Sequence, residues 1–595
     1  MNEYRTLLPF LRPYRGGIAL GLTLVVVANI FGILAPKLLG AAIDTLGRPG
    51  TTGLTILGYA ALVVAVAILS GAARFGMRQL LNGISRRIEN DLRDAFFDHL
   101  LRLDAAFFGR NRTGDLMSRA TNDAQAVRQA IGPGVMYLVN TLSMTAFALA
   151  FMLRISVRLT GAALIPMLLL PPIVLRFGHL VHQRSLRIQD HLGDLSTMVQ
   201  ENLAGARIVR AYVQEEAQQR EFEVLNRGYL EKNMALARVA GAVSPLLTFI
   251  MGTGAVIVLW LGGREVIAGR VSAGDFVAFG FYLTMLAWPM IALGWVINLF
   301  QRGAASMGRI NAVLRTEPAI RERSDAVSLP AARGEIEFRD VRFRYPGTER
   351  DVLRGVSFHV PAGATVALVG PTGAGKTTIT RLLTREFDPT HGQILLDGVP
   401  IQDLPLAQLR GAFGLVPQEA FVFSETIADN IALAIPAGGD AGHVVRNAAA
   451  IARLDEAVER FPRGYDTRLG ERGVNLSGGQ RQRTALARAI ARDPRIIVLD
   501  DALSAVDTHT ETEILAGLRR VLKERTALII SHRVSAVMDA DVILVLDEGR
   551  IVERGTHAAL LARGGLYASL LRRQILAEGL EAERAGELAS TPARS

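Results

Sequence analysis

Apolar residues crowd the first half of the chain in long runs. Six of them, 17–43, 54–74, 133–153, 159–178, 241–263 and 275–300, are each about as long as a bilayer requires. A helix rises about 1.5 Å per residue, so about 20 residues cross a hydrocarbon core of about 30 Å. The pattern predicts six membrane-spanning helices. The first run follows Arg12 and Arg15, carries Lys37 and shows no small-residue cleavage site, so it reads as a retained helix and not a signal peptide.

The connections alternate in character. Segments 44–53, 154–158 and 264–274 are short; 75–132 and 179–240 are long, polar and arginine-rich, with helical spacing running through them. Basic residues concentrate on the cytoplasmic side of membrane proteins, which places the long connections and the N-terminus there. Folded as helix, turn and helix, each arm extends about 40 Å beyond the bilayer; structureless loops of that length are uncommon. Pro36, Pro166, Pro171, Pro172, Pro245 and Pro289 fall within the runs, where proline removes a backbone donor and favours a kink. Trp260, Trp288, Trp295, Phe281, Tyr282, Met251, Met285, Met290 and Asn298 are candidates to line an apolar cavity, and equally to face lipid or pack.

After the runs the pattern changes. Residues 316–333 are polar, with Pro318 and Pro330, and read as a linker. From 334 to 576 short strand-like and helix-like pieces alternate, which predicts an α/β domain behind an all-α membrane domain at 1–315. The tail, 577–595, is charged and rich in small residues. With 50% apolar and 21% charged residues, a disordered chain is excluded. The absence of cysteine excludes disulfide frameworks, thiolate metal sites and thiol nucleophiles. A net charge of +10 suits nucleic acid or anionic lipid, and the six runs decide for lipid and against nucleic acid.

The α/β segment carries the chemistry. Strand 366–370 runs into Gly370-Pro371-Thr372-Gly373-Ala374-Gly375-Lys376-Thr377, followed by Thr378 and a helical stretch. That is G-x-x-x-x-G-K-[ST] in its strand–loop–helix context. The glycines let backbone N–H groups wrap phosphates, the helix start adds its positive end, Lys376 supplies a charge and the Thr377 hydroxyl can ligate Mg²⁺. Further on, Ile496–Leu499 form an apolar strand that delivers Asp500, a second Mg²⁺-holding group. Leu476-Ser477-Gly478-Gly479-Gln480 opens another helix, with Ser477 able to cap it. One nucleotide needs one P-loop, so a second anion-binding helix start makes sense if it faces a nucleotide held by another chain.

On these motifs, residues of about 5–575 resemble an ABC exporter half-transporter, a six-helix membrane domain fused to one ATPase domain. LSGGQ at 476–480 resembles the family's signature, Gln418 its Q-loop glutamine, and Tyr345 the aromatic that stacks on adenine. Ser504-Ala505-Val506-Asp507 resembles the D-loop, and His532 the switch histidine. Glu471-Arg472-Gly473 resembles the segment before the signature, and 107–128 and 201–216 resemble the two coupling regions. The resemblance implies ATP and Mg²⁺ as ligands, with Thr377, Gln418 and Asp500 at the metal and Asp501, His532 and Gln418 in catalysis. It also implies a multi-pass inner-membrane location with a cytoplasmic ATPase domain, contact with membrane lipids, a second half-transporter chain, and an amphiphilic drug, lipid or peptide as cargo.

One residue departs from the family pattern. Glutamate usually follows the strand-end aspartate, and here it is Asp501. The lost methylene withdraws the carboxylate by about 1.5 Å. This resembles the degenerate-site subunit of heterodimeric multidrug-type exporters, whose own ATP site hydrolyses poorly while its LSGGQ completes the partner's site. The alternative is a homodimeric exporter of lipid flippase type with Asp501 as a working base.

Overall fold

The computed structural model describes residues 2–329, 331–436, 441–470, 473, 475–533 and 536–576. Pro330 of the linker, Glu471, Arg472 and the tail from 577 lie outside them. The chain divides into two compact units, one of residues through Arg102 with Arg112–Glu317, the other of Leu103–Asn111 with the chain from Pro318 onward.

The first unit is helical. Among the described residues six helices are long and apolar enough to cross a membrane: Glu3–Leu46, Gly53–Arg102, Thr113–Ile155, Val157–Ala204, Glu215–Ile267 and Ala273–Leu314. Each predicted run lies inside one of them. At 42 to 53 residues they outrun the hydrocarbon, because helical spacing persists through the polar arms. Between lipid-exposed helices apolar burial gives little driving force, so association relies on close packing and polar contacts. Gly21 admits Leu81, where a Cβ would stand 2.5 Å from its Cδ2. Gly40 and Gly274 meet backbone to backbone: a Cβ on Gly274 would lie 1.9 Å from the Gly40 carbonyl oxygen. Asp44 completes that joint between the first and sixth spans, accepting from the Ser272 hydroxyl at 2.6 Å and the Gly274 N–H at 2.7 Å. Asn29, 1% exposed, donates to the Asn140 carbonyl at 3.2 Å and to Ser143 Oγ at 2.7 Å, so its amide is not stranded in an apolar setting. On the arms, Arg309 makes a two-pronged pair with Asp123 at 2.9 and 2.5 Å.

Pro36, Pro245 and Pro289 sit inside continuous helices, whereas Pro166 lies one residue before the end of the helix Val157–Met167, and the next helix, Leu170–Ala204, starts after a turn. A wider π-type turn, Ala130–Gly134, forms around Pro133, which no hydropathy pattern singles out. A cavity of about 580 Å³ opens between the fourth, fifth and sixth spans, lined by Met167, Met251, Phe276, Leu283 and their neighbours. Met251 thus lines a cavity. Tyr282 instead is buried and donates to the Ile33 carbonyl at 3.1 Å, while Trp260, Trp288 and Trp295 are exposed on this chain.

The second unit is α/β. Strands β1 (Ile336–Phe343), β2 (Leu353–Val360), β4 (His391–Leu396) and β5 (Val399–Pro400) form an antiparallel sheet in the order β2-β1-β4-β5. Strands β3 (Thr365–Val369), β6 (Phe413–Val416), β7 (Ile496–Asp500), β8 (Thr526–Ile530), β9 (Val542–Asp547) and β10 (Arg550–Gly555) form the second, in the order β10-β9-β3-β8-β7-β6. Its β3, β6, β7, β8 and β9 pair in parallel. Every residue of β7 and β8 is buried, as expected for strands covered on both faces. In such sheets ligands gather at the carboxyl ends of the strands. In the same unit Asp104 caps the short helix Ala105–Arg110, accepting from the Phe107 N–H at 3.0 Å, and its other oxygen accepts from the Ala319 N–H at 2.7 Å.

Candidate functional site

The P-loop springs from the end of β3. Gly370, Gly373 and Gly375 hold φ values of +155°, +84° and +103°, a region that side chains other than glycine resist. A Cβ on Gly370 would stand 2.0 Å from the Leu546 carbonyl oxygen. The helix Lys376–Leu383 follows directly, so free N–H groups of its first turn and of the loop converge. Lys376 is 6% exposed and donates from Nζ to the carbonyls of Gly370 at 2.8 Å and Pro371 at 2.9 Å. Burial lowers its pKa, and the carboxylates of Asp501 and Asp500 act in the opposite sense. A cavity of about 220 Å³ opens beside it, lined by Thr372, Gly373, Gly375, Lys376, Thr377, Thr378, Gln418, Asp500, Asp501 and His532, with Val352 and Ile530. The fold therefore gathers Asp500, Asp501, Gln418 and His532 around the loop that ends at Lys376, across more than 150 residues of sequence.

Asp500 ends β7 and is 2% exposed. Thr377 and Thr380 each donate a hydroxyl to it at 3.3 Å. Burial raises its pKa, against the pull of those hydroxyls and of Lys376. Thr380 carried no motif signal; its place one helical turn after Thr377 was the available clue. A hydroxyl, a buried carboxylate and a nearby amide oxygen suit a hard divalent cation that keeps water and phosphate oxygens as its other ligands. No cluster of three His, Asp or Glu side chains that would hold a metal by itself occurs among the described residues.

Asp501 takes φ +50°, an αL conformation that aspartate tolerates better than most residues. Its N–H donates to the Ile530 carbonyl at 2.8 Å, and its Oδ1 faces the His532 N–H at 3.5 Å. His532 is exposed on this chain; the desolvation it does undergo, and then the Lys376 ammonium, hold its pKa below the ordinary value.

The signature segment stands apart from this cavity. Ser477 accepts from the Gln480 N–H at 3.2 Å while Gln480 Oε1 accepts from the Ser477 N–H at 2.9 Å, a reciprocal cap on the helix Gly478–Ala491. Ser477 is exposed, and none of Ser477, Gly478, Gly479 and Gln480 lines the cavity. Asp507 is the cap of the helix Thr508–Leu522, accepting from the Thr510 N–H at 2.9 Å, and that backbone bond lowers its pKa. Tyr345 lies outside the cavity lining: its hydroxyl shares a 3.1 Å hydrogen bond with Thr378, and its ring meets Phe343 and Phe387 edge-on. Sequence reasoning passed over Gln482 and Arg533, which grip the loop between Asp501 and Asp507, and Glu511, which pairs with Arg533.

Comparison with known proteins agrees with this geometry. Residues 18–290 match the family described as ABC transporter transmembrane region, and residues 353–504 the family described as ABC transporter. The chain is 39% identical over 572 residues to the probable multidrug resistance ABC transporter ATP-binding/permease protein YheI of Bacillus subtilis, covering 95% of this chain and 97% of the relative. It is 36% identical to the multidrug resistance-like ATP-binding protein MdlA of Escherichia coli, over 96% and 95% of the two chains. Identity is also 36% to the ATP-dependent lipid A-core flippase of Aromatoleum aromaticum, over 98% and 97%. Among solved structures, a bacterial Atm1-family ABC exporter with ATP bound superposes with a TM-score of 0.76 at 30% identity, covering 95% of this chain and 98% of the other. With both halves matched and likeness running along nearly its whole length, the chain belongs to the ABC exporters, multi-pass membrane proteins that carry a transmembrane region and an ATP-hydrolysing domain on one polypeptide.

Proposed function

We propose that this chain is one half of a dimeric exporter that moves amphiphilic compounds (a drug, a lipid or a peptide) across the inner membrane, with its N-terminus and ATPase unit in the cytoplasm. The observation that carries this reading is the separation of the two phosphate-binding elements. The P-loop cavity gathers Lys376, Asp500, Asp501, Gln418 and His532, yet the capped, solvent-facing end at Ser477 is absent from it. A solvent-facing helix start with two glycines suits the outer phosphate of a nucleotide held by a second chain.

In this reading the loop N–H groups of Gly373 and Gly375 and the Lys376 ammonium bind the phosphate chain. Thr377, Asp500 and Gln418 hold Mg²⁺, which neutralises charge building on the phosphates when bound. Asp501 orients the attacking water, and His532 contacts the outer phosphate. Ser477, Gly478, Gly479 and Gln480 close over the partner's nucleotide, Tyr345 stacks on adenine, and Asp507 ends the loop that follows Asp501. A clamp that forms only with ATP bound favours one state over the other, and such differential affinity is what drives a conformational shift. The two long pairs of helical arms carry it to the spans.

The apolar cavity of about 580 Å³ and the relatives' names, multidrug and lipid A, support an amphiphilic cargo. Asp501 favours a heterodimer in which this chain's own site turns over slowly and the other chain supplies the stronger base. The second reading is a homodimer of lipid flippase type in which Asp501 works as the base; the lipid A-core flippases among the relatives favour a lipid as its cargo. The test is ATP-dependent transport by the reconstituted assembly carrying Lys376→Ala or Ser477→Ala. Both are expected to suppress transport, Ser477→Ala while leaving ATP binding at this chain's P-loop within about twofold. Transport that survives Ser477→Ala rejects the shared site.

A further inference from the structure

The loop after Asp501 is held by side chains from two directions. Residues 501–507 form turns and bends, with no strand ladder to fix them. From the signature helix, Gln482, 5% exposed, donates to Ser504 Oγ at 2.9 Å and accepts from the Ala505 N–H at 2.9 Å. From the residue next to His532, Arg533 donates to the carbonyls of Ser504 at 3.2 Å and Val506 at 3.1 Å. The same guanidinium pairs with Glu511, which is 2% exposed. The loop's first residue is tied as well: the Ser504 N–H donates to the Asp501 carbonyl at 3.2 Å. Space on the signature side is tight, since a Cβ on Gly479 would stand 2.9 Å from the Ala505 carbonyl oxygen. One short loop thus joins the helix capped by Ser477 to the backbone of Asp501, and Arg533 joins both to the backbone of its neighbour His532.

We propose that Arg533 and Gln482 are positioning residues for ATP turnover, clamping loop 501–507 so that the signature helix, Asp501 and His532 move as one piece. Displacement of the signature helix when it meets a nucleotide is then felt at the chain's own ATP site through two hydrogen-bonded joints. The physical basis is over-determination: an irregular loop keeps a catalytic geometry only when neighbouring side chains lock it. The proposal rests on the reading that Ser477 and Asp501 both take part in turnover.

The test is steady-state ATP hydrolysis by the purified full-length assembly carrying Arg533→Lys, Gln482→Met, or both. Lysine keeps a charge for Glu511 but cannot make a fork to two carbonyls. Methionine has similar volume and removes both loop contacts. A shift short of 1 Å at the reacting groups predicts a loss of about tenfold in kcat for each variant, with KM for ATP within about twofold. The double variant should lose about the same tenfold, because both residues hold one element and their effects are not independent. Three results overturn the proposal: kcat within twofold of the parent in both single variants, losses that multiply to about a hundredfold in the double, or kcat, ATP affinity and melting temperature falling together. If Arg533→Lys does not fold, Glu511→Gln takes its place in the cycle with the same expectations. Ser477→Ala in the same assay separates the two ideas. Full activity there refutes the shared site, whereas its loss beside parent-like Arg533→Lys and Gln482→Met refutes the clamp alone.

Discussion

Asp501→Glu probes the one residue that departs from the family pattern. The backbone at this position is fixed on both sides: the Asp501 N–H is held by the Ile530 carbonyl at 2.8 Å, and the Asp501 carbonyl accepts from Ser504 at 3.2 Å. An added methylene therefore goes into reach, and advances the carboxylate by about 1.5 Å, one C–C bond. Misplacement of about 1 Å costs up to about a hundredfold in rate. If reach limits this site, glutamate raises its turnover by about ten- to a hundredfold. The substitution also has a cost. The residue sits at φ +50°, where a longer side chain lacks aspartate's local hydrogen bonding, and about 1 kcal/mol of stability is at stake. In a domain of this size that lowers the melting temperature by about 2–4 °C. The assay is phosphate release by the purified assembly, with the P-loop lysine of the other chain replaced if that chain is a different one. Unchanged or slower release, with ATP binding intact, refutes the argument from reach and leaves Asp501 as an adequate base.

Asp500→Asn should abolish turnover yet raise the melting temperature of the nucleotide-free protein at pH 7. Burial raises this carboxyl's pKa, so its charged form weakens the fold increasingly as pH rises through the unfolded value of about 4, and the neutral isostere removes that penalty; a lower melting temperature contradicts this. The pKa of His532 is depressed, so the imidazole stays neutral in the fold when its unfolded counterpart begins to take a proton near pH 6.5. The His532-dependent acid limb of the kcat/KM profile for ATP, which reports the nucleotide-free enzyme and is identified by comparison with His532→Gln, is therefore expected below pH 6.5, with stability also declining as pH falls there; a limb above 6.5 is the contrary result. Gly274→Ala should destabilise the membrane unit by about 1–3 kcal/mol through overpacking, since its Cβ meets the Gly40 backbone, whereas Gly263→Ala, with nothing within 4 Å, should be neutral. Thermal melts in detergent compare the two.

Periodicity and local motifs were legible in the sequence because each is a property of neighbouring residues. All six apolar runs fall inside spanning helices, and the P-loop, the buried strand ending in Asp500 and the Ser477 cap form where their spacing put them. What stayed hidden depends on pairs distant in the chain. The close approach of Gly40 to Gly274 and its completion by Asp44 join residues more than 200 positions apart. Arg533, Glu511 and Gln482 read as ordinary polar positions on helices and turns until the sheet brings their loops together. Tyr345 likewise carries contacts that the resemblance did not name: its hydroxyl bonds to Thr378 and its ring meets Phe343 and Phe387 edge-on.

The most direct measurement of the central claim is a thiol crosslink across the ATP. The chain has no native cysteine, and Thr372 and Ser477 are both exposed, so Thr372→Cys and Ser477→Cys introduce the only thiols in a second-copy assembly. With a different partner chain, its signature serine takes the second cysteine. A crosslinked species of two chains that forms with ATP and not without it is the predicted result. Crosslinking within a single chain, or none between chains at saturating ATP, contradicts a nucleotide clasped between two polypeptides.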